Sequence, residues 1–431
     1  MKYPRRNKTY VAVISAVAGL IASTWSLRAQ ADPKVDQLEK QNQELRKRLD
    51  AMDNILQKEG LEPSGAAPTS PIQAMSQMTI SGFIEASYFY DIANTHDNHP
   101  AGYLWNTSLN SFTLNKIKLT FASPAPDKDK WDAAYRFSLI YGQDAPIVNT
   151  GSGIAGFSAV REGYIELNVP IGTGLDIKAG ELISLLNWES GDGGAANPNF
   201  SQGYQWYYTG NPPDAGIQLS YDFNDVVGLK ARLQNGLYNG PVESGPKTFM
   251  GGLYINPDKK TTLAFLGFVG RQDFSPTHWD IVGGSFLGSR QLTEAYNLSV
   301  ATEFDWFHFA NAPAAAGPGP SHGDFWSIGA WLTADFTPKL GAALRAEFLD
   351  DPSGFGTIFN SPAPGADTPF PAGIEGGGGQ QLSSVTFTLD YKPAPNIKIQ
   401  PEARWNHSSF SGALNGKRDQ FIVGMGASYL F

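Results

Sequence analysis

The chain has 431 residues, a formal net charge of −9 and no cysteine. The lack of cysteine excludes disulfides, thiolate catalysis and cysteine metal sites, and the acidic charge argues against a nucleic-acid partner, which needs a basic face. With 47 glycines, 29 prolines and 12% aromatic residues, the composition favours many short strands joined by turns over a helical enzyme.

Residues 1–31 have the pattern of a cleavable export signal. Basic residues run to Lys8, an apolar stretch follows over 10–22, and the AQA at 29–31 is an A-x-A cleavage site. The apolar stretch is shorter than the ~20 residues that a spanning helix needs, so an uncleaved inner-membrane anchor is the weaker alternative. Removing the five basic residues of this segment takes the net charge from −9 to −14. We expect an exported chain that begins at Asp32.

A heptad pattern follows and predicts a short periplasmic coiled coil within residues 32–59. Seven residues fill successive a and d positions without a break, namely Val35, Leu38, Asn42, Leu45, Leu49, Met52 and Leu56. We expect this helix to join copies of the chain, and the sequence leaves dimer and trimer open. A single amphipathic helix lying on another element is the alternative, because three heptads are marginal alone. Residues 60–77 then form a linker rich in Gly and Pro.

From residue 78 to residue 431 the hydrophobic pattern has a period of two, which predicts β-strands. Apolar and polar residues alternate over 131–141, 292–306, 340–348 and 397–405. Many of these runs reach about ten residues, close to the span of a tilted membrane strand. Trp and Tyr lie towards the strand ends, as an interfacial girdle requires.

Short and long connections alternate along residues 78–431, which is typical of a transmembrane β-barrel. The short ones lie at 123–130, 170–174, 224–227, 256–260, 337–339 and 392–396, and the long ones at 91–110, 144–159, 186–215, 311–323 and 351–381. With 278–291 taken as one descending strand, we count about sixteen strands, within a range of roughly 14 to 18. The predicted fold class is therefore all-β, a closed antiparallel barrel. A soluble sandwich also alternates, but it does not set short turns opposite long loops.

Several short motifs of the strand region resemble a known family. They are ISGFIEASYFY at 80–90, SFTLNKIKLTF at 111–121, WDAAYRFSLIYGQD at 131–144, GELISLLNWE at 180–189, NFSQGY at 199–204 and QNGLYN at 234–239. Together they are similar to the β-barrel porin family described as OmpL-like, while heptads ahead of a barrel also occur in phosphate-selective porins. The terminal Gly426, Tyr429 and Phe431 resemble the signal that the outer-membrane assembly machinery recognises. The resemblance implies an outer-membrane pore and assigns no catalytic residue.

Charged residues in the predicted strands fall on the face that we assign to the lumen, because a charge facing lipid costs about 2–4 kcal/mol near the midplane. The candidate pore-lining residues are Lys116, Lys118, Arg136, Glu162, Glu166, Lys178, Lys230, Arg232, Glu303, Asp305, Arg345, Glu347, Lys398, Glu402 and Arg404. Glu85 and Asp176 also point inward, which gives nine cations and eight carboxylates; these signs nearly balance, so the sequence indicates no charge selectivity. Leu344 should face lipid and Arg345 the lumen, so we expect Arg345→Leu to fold normally and shift permeability towards cations.

The sequence contains no motif that predicts catalysis. A nucleotide-binding loop, a zinc motif and a G-x-S-x-G elbow are all missing. His96 and His99 could share a metal, but a solvated loop explains this pair better. His407 precedes Ser408 and Ser409, but adjacency in sequence does not make a catalytic triad. We expect no enzyme activity, no metal and no cofactor.

These observations predict an outer-membrane porin through which small hydrophilic solutes diffuse passively. One alternative is a solute-specific channel for anions, phosphate or sugars, in which the aromatic segment 188–208 folds inward to stack on sugar rings. The other is a structural protein that the coiled coil tethers to the cell wall. The expected partners are outer-membrane lipid, lipopolysaccharide, the barrel assembly machinery and further copies of the chain, as a trimer or a dimer.

Overall fold

The computed structural model describes residues 78–92, 106, 108–149, 158–237, 245, 247–274, 277–311, 322–352, 379–411, 413–414 and 416–431, without the side chains of 272–274 and 277–279. The chain divides into two units, 1–76 and 77–431, and every described residue belongs to the second. The predicted signal segment, coiled coil and linker lie outside the described residues, as do His96 and His99.

Sixteen antiparallel strands form a closed barrel in the described part of the chain, which confirms the predicted fold class. Each strand pairs with its neighbours in sequence, and β1 pairs with β16 to close the sheet. The strands are β1 Thr79–Asp91, β2 Ser111–Ala122, β3 Asp132–Tyr141, β4 Val160–Val169, β5 Leu175–Leu182, β6 Asp214–Asp222, β7 Val227–Gln234, β8 Thr248–Asp258, β9 Thr261–Phe274, β10 Thr277–Thr293, β11 Leu298–Ala310, β12 Gly323–Thr337, β13 Leu340–Asp351, β14 Gln380–Ala394, β15 Ile397–Ser408 and β16 Asp419–Leu430.

The helical elements that the structure describes are short and lie in the connections. They are the helices α1 Ala145–Val148 and α2 Tyr204–Tyr208 and the 3-10 turns Gly193–Ala195 and Ala295–Asn297. None of the described helices is long and apolar enough to cross a membrane.

The stretch 278–291 is a strand, as predicted, but the run 292–306 is two strands. β10 ends at Thr293 and β11 begins at Leu298, and between them Tyr296 and Asn297 have φ values of 61° and 44°. Asn tolerates this left-handed conformation better than other non-glycine residues do. The alternation of apolar and polar residues continues in phase across the turn, so the period alone could not locate it.

The pleat sends alternate side chains to the outer face and to the inside of the barrel. On β13, Leu344 is 40% exposed on the outer face, whereas its neighbour Arg345 is fully buried inside. The outer face is apolar on every side of the barrel, with exposed Ile84, Ile165, Leu229, Phe265, Phe304, Leu344, Val385 and Val423. The predicted facing of Leu344 and Arg345 therefore holds.

Apolar clusters also lie inside the barrel, which the alternation did not predict. The largest lies on the inner face of β8–β12 and consists of Met250, Leu266, Phe268, Ile281, Phe307, Phe309 and Phe325, with Leu186 and Leu237 from two connections. On these strands both faces are apolar, as at Trp306 (outside) and Phe307 (inside). The cluster ties two connections to the wall, because burial of apolar surface stabilises the contact.

Candidate functional site

The connection between β5 and β6, residues 183–213, folds into the barrel, and we call it the lumen loop. Its polar groups bind inward-facing side chains of β1, β2 and β11–β15, which lie far away in sequence. We call the inner faces of β11–β16, β1 and β2 the covered wall, and those of β3–β8 the open wall. The sequence predicted a long outer loop over 186–215, and the inward-folding alternative describes its position better.

Wall carboxylates accept hydrogen bonds from backbone N–H groups of the lumen loop. Glu402 on β15 accepts from the amides of Phe200 and Ser201 at 2.9 and 3.3 Å, and also from the Ser201 hydroxyl. Glu303 on β11 accepts from the amide of Trp188 at 2.6 Å. A buried amide or carboxylate is costly without a partner, so each bond satisfies both groups at once.

Two further carboxylates of the covered wall accept from loop amides in the same way, and a third accepts from a loop side chain. Glu85 on β1 accepts from the Ala195 amide at 3.1 Å, and Glu347 on β13 accepts from the Gln205 amide at 3.0 Å. Asp305 on β11 accepts from the Gln205 side-chain amide at 2.7 Å. The loop is thus fixed mainly through its backbone, at points distributed around half of the barrel.

Arg345 is the centre of a buried network rather than a free lumen charge. Its guanidinium lies 2.7 Å from Glu189 of the lumen loop and 3.0 Å from Glu347, and it donates to the carbonyl of Ser201 at 2.6 Å. The indole of Trp331 donates to Glu189 at 3.2 Å. Removing Arg345 would leave two buried carboxylates without their cation, so the expectation that Arg345→Leu folds normally is not supported.

Cations of the wall bind the other edge of the loop. Lys118 lies 2.6 Å from Asp192 and Arg161 lies 3.9 Å from it, while Lys398 donates to two loop carbonyls at 2.8 and 2.7 Å. Burial alone would raise the pKa of the Asp192 carboxyl, but Lys118 and Arg161 outweigh it and lower the pKa below its usual value. Asp192 therefore stays ionised at neutral pH and holds the loop against β2.

The residues of the predicted C-terminal assembly signal also make contacts that stabilise the barrel. Phe431 exchanges two backbone hydrogen bonds with Gly82 of β1, at 2.9 and 3.0 Å, which helps to close the sheet. A Cβ on Gly426 would lie 2.0 Å from the ring of Phe200, so only glycine lets the lumen loop approach here. Tyr429 is exposed on the outer face.

The open wall, in contrast, exposes charged side chains inside the barrel. Arg136 is 40% exposed at its side chain and pairs with Glu162 at 2.7 Å. Lys178 and Glu166 are 24% and 21% exposed and lie 3.4 Å apart. Lys230 is also partly exposed. These are the charges that a solute in the lumen can approach.

The candidate pore-lining residues all lie on the inner face, but they divide into two groups. Those with partial exposure are Arg136, Glu166, Lys178, Lys230 and Lys398. Those covered by protein are Lys116, Lys118, Glu162, Arg232, Glu303, Asp305, Arg345, Glu347, Glu402 and Arg404. Most residues of the second group bind the lumen loop or one another, so the first group is better placed to contact a solute, and the assignment of the whole set to the pore lining stays a prediction.

The residues of the lumen loop that complete these contacts were not predicted from the sequence. Glu189 and Asp192 lie in a connection, where strand alternation assigns no facing. The density of aromatic residues over 188–208 was the available signal. Of these aromatics, Trp188 is 37% exposed in the lumen, but Tyr204 and Tyr208 are buried, so sugar stacking on the whole segment is not supported.

Among the described residues, the sequence candidate for hydrolysis does not form and no group of metal ligands is found. His407 lies on the outer face with Nδ1 2.8 Å from Asp419, whereas Ser408 is buried on the inner face. The two side chains therefore point apart and form no catalytic pair. No three His, Asp or Glu residues in this part of the chain are grouped so that they could hold a metal ion.

Comparisons with solved structures show the fold. OmpT of Vibrio cholerae in a trimer form matches with a TM-score of 0.54 and 10% identity, over 82% of this chain and 99% of that chain. The anion-selective porin from Comamonas acidovorans matches with a TM-score of 0.52 and 10% identity, over 82% and 99%. The outer membrane channel DcaP of Acinetobacter baumannii matches with a TM-score of 0.50 and 11% identity, over 82% and 97%. None of the curated proteins matches the chain.

A family model matches the whole barrel region. Its description is "Putative beta-barrel porin-2, OmpL-like", and it matches residues 77–431. This range contains all sixteen strands and the lumen loop, and it confirms the resemblance seen in the strand motifs. The family and the fold point to an outer-membrane channel rather than to an enzyme. The chain belongs to the OmpL-like β-barrel porin family.

Proposed function

We propose that small hydrophilic solutes diffuse passively through this porin along the open wall. The observation that carries the proposal is the asymmetry of the lumen. The loop packs against the covered wall, while Arg136, Lys178 and Glu166 on β3–β5 stay exposed inside the barrel. Exposed charges of both signs favour a hydrated path, and a sixteen-strand barrel is wide enough to hold one beside a loop.

The lumen loop would set the size limit of this path. It crosses the barrel at mid-depth, because its wall partners Glu85, Glu303 and Glu402 lie near the middle of their strands. Its hydrogen bonds fix it, so the opening should be of constant size. We expect a weakly selective pore that rejects solutes by size before charge.

Conductance of the purified chain in planar lipid bilayers tests this proposal. In KCl we expect stepwise openings of uniform size, and liposomes that contain the protein should swell faster in arabinose than in raffinose. Heat-denatured protein is the control. A barrel that keeps its heat-modifiable gel mobility but conducts nothing would contradict the proposal and favour a structural role.

We also propose that the porin is a homo-oligomer whose subunits meet at the wall of short strands. β4–β7 have 8 to 10 residues, whereas β8–β16 have 11 to 17. Eight residues tilted by about 40° span roughly 20 Å, less than the ~25 Å apolar band of a membrane barrel. A second copy would cover this short side, where Ile165, Ile217 and Leu229 are exposed. The trimer form of the OmpT neighbour supports a trimer.

Light scattering on the full chain and on a chain without residues 32–60 tests the association. If the barrel walls suffice, both have the same stoichiometry. If the predicted coiled coil drives assembly, the truncated chain is smaller and its barrel still folds. A monomeric full chain would contradict the proposal.

The remaining expected partners follow from the outer-membrane location. The apolar outer face would contact lipid and lipopolysaccharide, and the terminal Phe431 would serve the assembly machinery before it pairs with Gly82. Cleavage of residues 1–31 and tethering by the coiled coil remain proposals about residues outside those described.

A further inference from the structure

A lysine stands beside an apolar surface where the open wall meets the largest interior cluster. Lys230 of β7 lies directly opposite Gly252 of β8 in the sheet register, and its Nζ is 4.3 Å from the centre of the Tyr254 ring. Tyr254 in turn lies opposite Ala264 of β9, which lies opposite Leu287 of β10. One lysine, one tyrosine ring and the two apolar side chains of Ala264 and Leu287 thus follow each other around the inner wall.

The charge of Lys230 is not cancelled by a close carboxylate. Among the described residues it forms no ion pair, and Asp176 and Asp222 act on it only at longer range. Lys178, by comparison, pairs with Glu166 at 3.4 Å. An aromatic ring attracts an ammonium through its quadrupole but leaves the net charge in place. Tyr254 therefore positions a cation that can still attract an anion.

The neighbouring cation adds to the positive potential. Arg232 lies two residues along β7, is buried, and donates to Gln218 at 2.7 Å and to the carbonyl of Ile183 at 2.8 Å. These acceptors are neutral, and the described residues give Arg232 no ion pair either. Two adjacent cations on one strand thus face the lumen side of β7 without a bound acid.

The apolar surface beside Lys230 is partly exposed. Tyr254, Leu287 and Leu185 of the lumen loop pack on the buried cluster of β8–β12 and keep part of their own surface free. A Cβ on Gly252 would lie 2.7 Å from Leu266 Cδ2 and 2.9 Å from Tyr254 Cε2, so the glycine gives these side chains room against the wall. Lys230 contacts the Tyr254 ring, and Tyr254 packs on the same apolar cluster as Leu287 and Leu185, so we call these three side chains the apolar floor.

We propose that Lys230, Tyr254, Leu287 and Leu185 form a binding subsite for small organic anions that carry an apolar or aromatic body, such as aromatic monocarboxylates. The carboxylate accepts from the Lys230 ammonium, which has three donors, and the body covers the apolar floor. This proposal rests on the proposed diffusion path, and it adds a class of solute that binds within that path.

Bilayer conductance of the full chain in KCl tests the subsite, with benzoate as the probe. Benzoate should block the current in a saturable way, whereas acetate, which lacks the body, and benzyl alcohol, which lacks the charge, should not at the same concentration. Lys230→Gln should weaken the benzoate block about tenfold, and Lys230→Arg should keep it. Leu287→Ser should weaken it as well. Lys260→Gln, at an exposed turn between β8 and β9, is the matched control.

Each outcome decides between the proposals. Equal block by benzoate and acetate, or an unchanged block in both Lys230→Gln and Leu287→Ser, overturns the subsite while KCl conductance upholds the pore. No KCl conductance in a folded barrel overturns the proposed function itself. If Lys230→Gln does not fold, the comparison of Leu287→Ser with wild type tests the subsite alone, since Leu287→Ser leaves every charge in place.

Discussion

Glu402 on β15 and Glu166 on β4 both point into the barrel, but their surroundings differ. Glu402 is 4% exposed and binds Phe200 and Ser201 of the lumen loop, whereas Glu166 is 21% exposed at its side chain and pairs with Lys178. The same strand alternation predicts that both side chains point into the barrel. The difference is whether the loop covers them, so the buried charges of the covered wall hold structure, whereas the partly exposed charges of the open wall remain for solutes.

The largest expected effect is that of Arg345→Leu on the covered wall. The variant should lose about 3–5 kcal/mol of unfolding free energy, because Glu189 and Glu347 would remain buried without their cation. Urea unfolding of the lipid-folded barrel measures it. Lys178→Leu on the open wall is the control, with an expected loss of about 1 kcal/mol or less, because its partner Glu166 stays partly exposed to water. Equal losses would mean that the two walls do not differ.

A smaller loss is expected when a charge is placed on the outer face. Leu344→Arg should cost about 2–4 kcal/mol at mid-depth, because the side chain faces hydrocarbon. The same urea series checks it, with Leu344→Met as the matched control of similar volume. A variant that folds with wild-type stability and changes ion permeability would show that Leu344 points into the lumen and Arg345 towards lipid.

The facing of β13 could be predicted from the sequence, whereas the covering of the lumen could not. Leu344 and Arg345 are neighbours, and the exclusion of charge from lipid assigns their sides. Ser201 and Glu402 are 201 positions apart, and no local pattern indicates that a loop crosses to that wall. The turn at Tyr296 was missed for a related reason, because the alternation runs through it unchanged.

Neutralising one carboxylate that binds the lumen loop should have a moderate effect on the stability of the barrel. Glu402→Gln removes the charge that accepts from the Phe200 and Ser201 amides, and we expect a loss of about 1–3 kcal/mol together with noisier open-channel current. Unfolding and single-channel recordings measure the two effects. Glu166→Gln is the matched control and should leave both unchanged. A quiet, stable Glu402→Gln channel would mean that this anchor is dispensable.

The smallest change in stability is expected for the open wall, where selectivity changes instead. Lys178→Gln should alter the unfolding free energy by about 0.5 kcal/mol or less and shift the reversal potential in a KCl gradient towards cation preference. Lys398→Gln removes a lysine that binds loop carbonyls and should leave selectivity near wild type. The reverse ranking of the two lysines would contradict the assignment of the walls.

Labelling of single cysteines with a water-soluble thiol reagent tests the division of the lumen most directly, since the natural chain has no cysteine. Ser220 on β6 is partly exposed inside the barrel, whereas Ser384 on β14 is 1% exposed and donates to Asn406 at 3.0 Å. Ser220→Cys should react quickly in open channels and reduce their conductance, and Ser384→Cys should remain unreacted with its conductance unchanged. Comparable reaction rates at the two positions would contradict a lumen that is open on one wall and covered on the other.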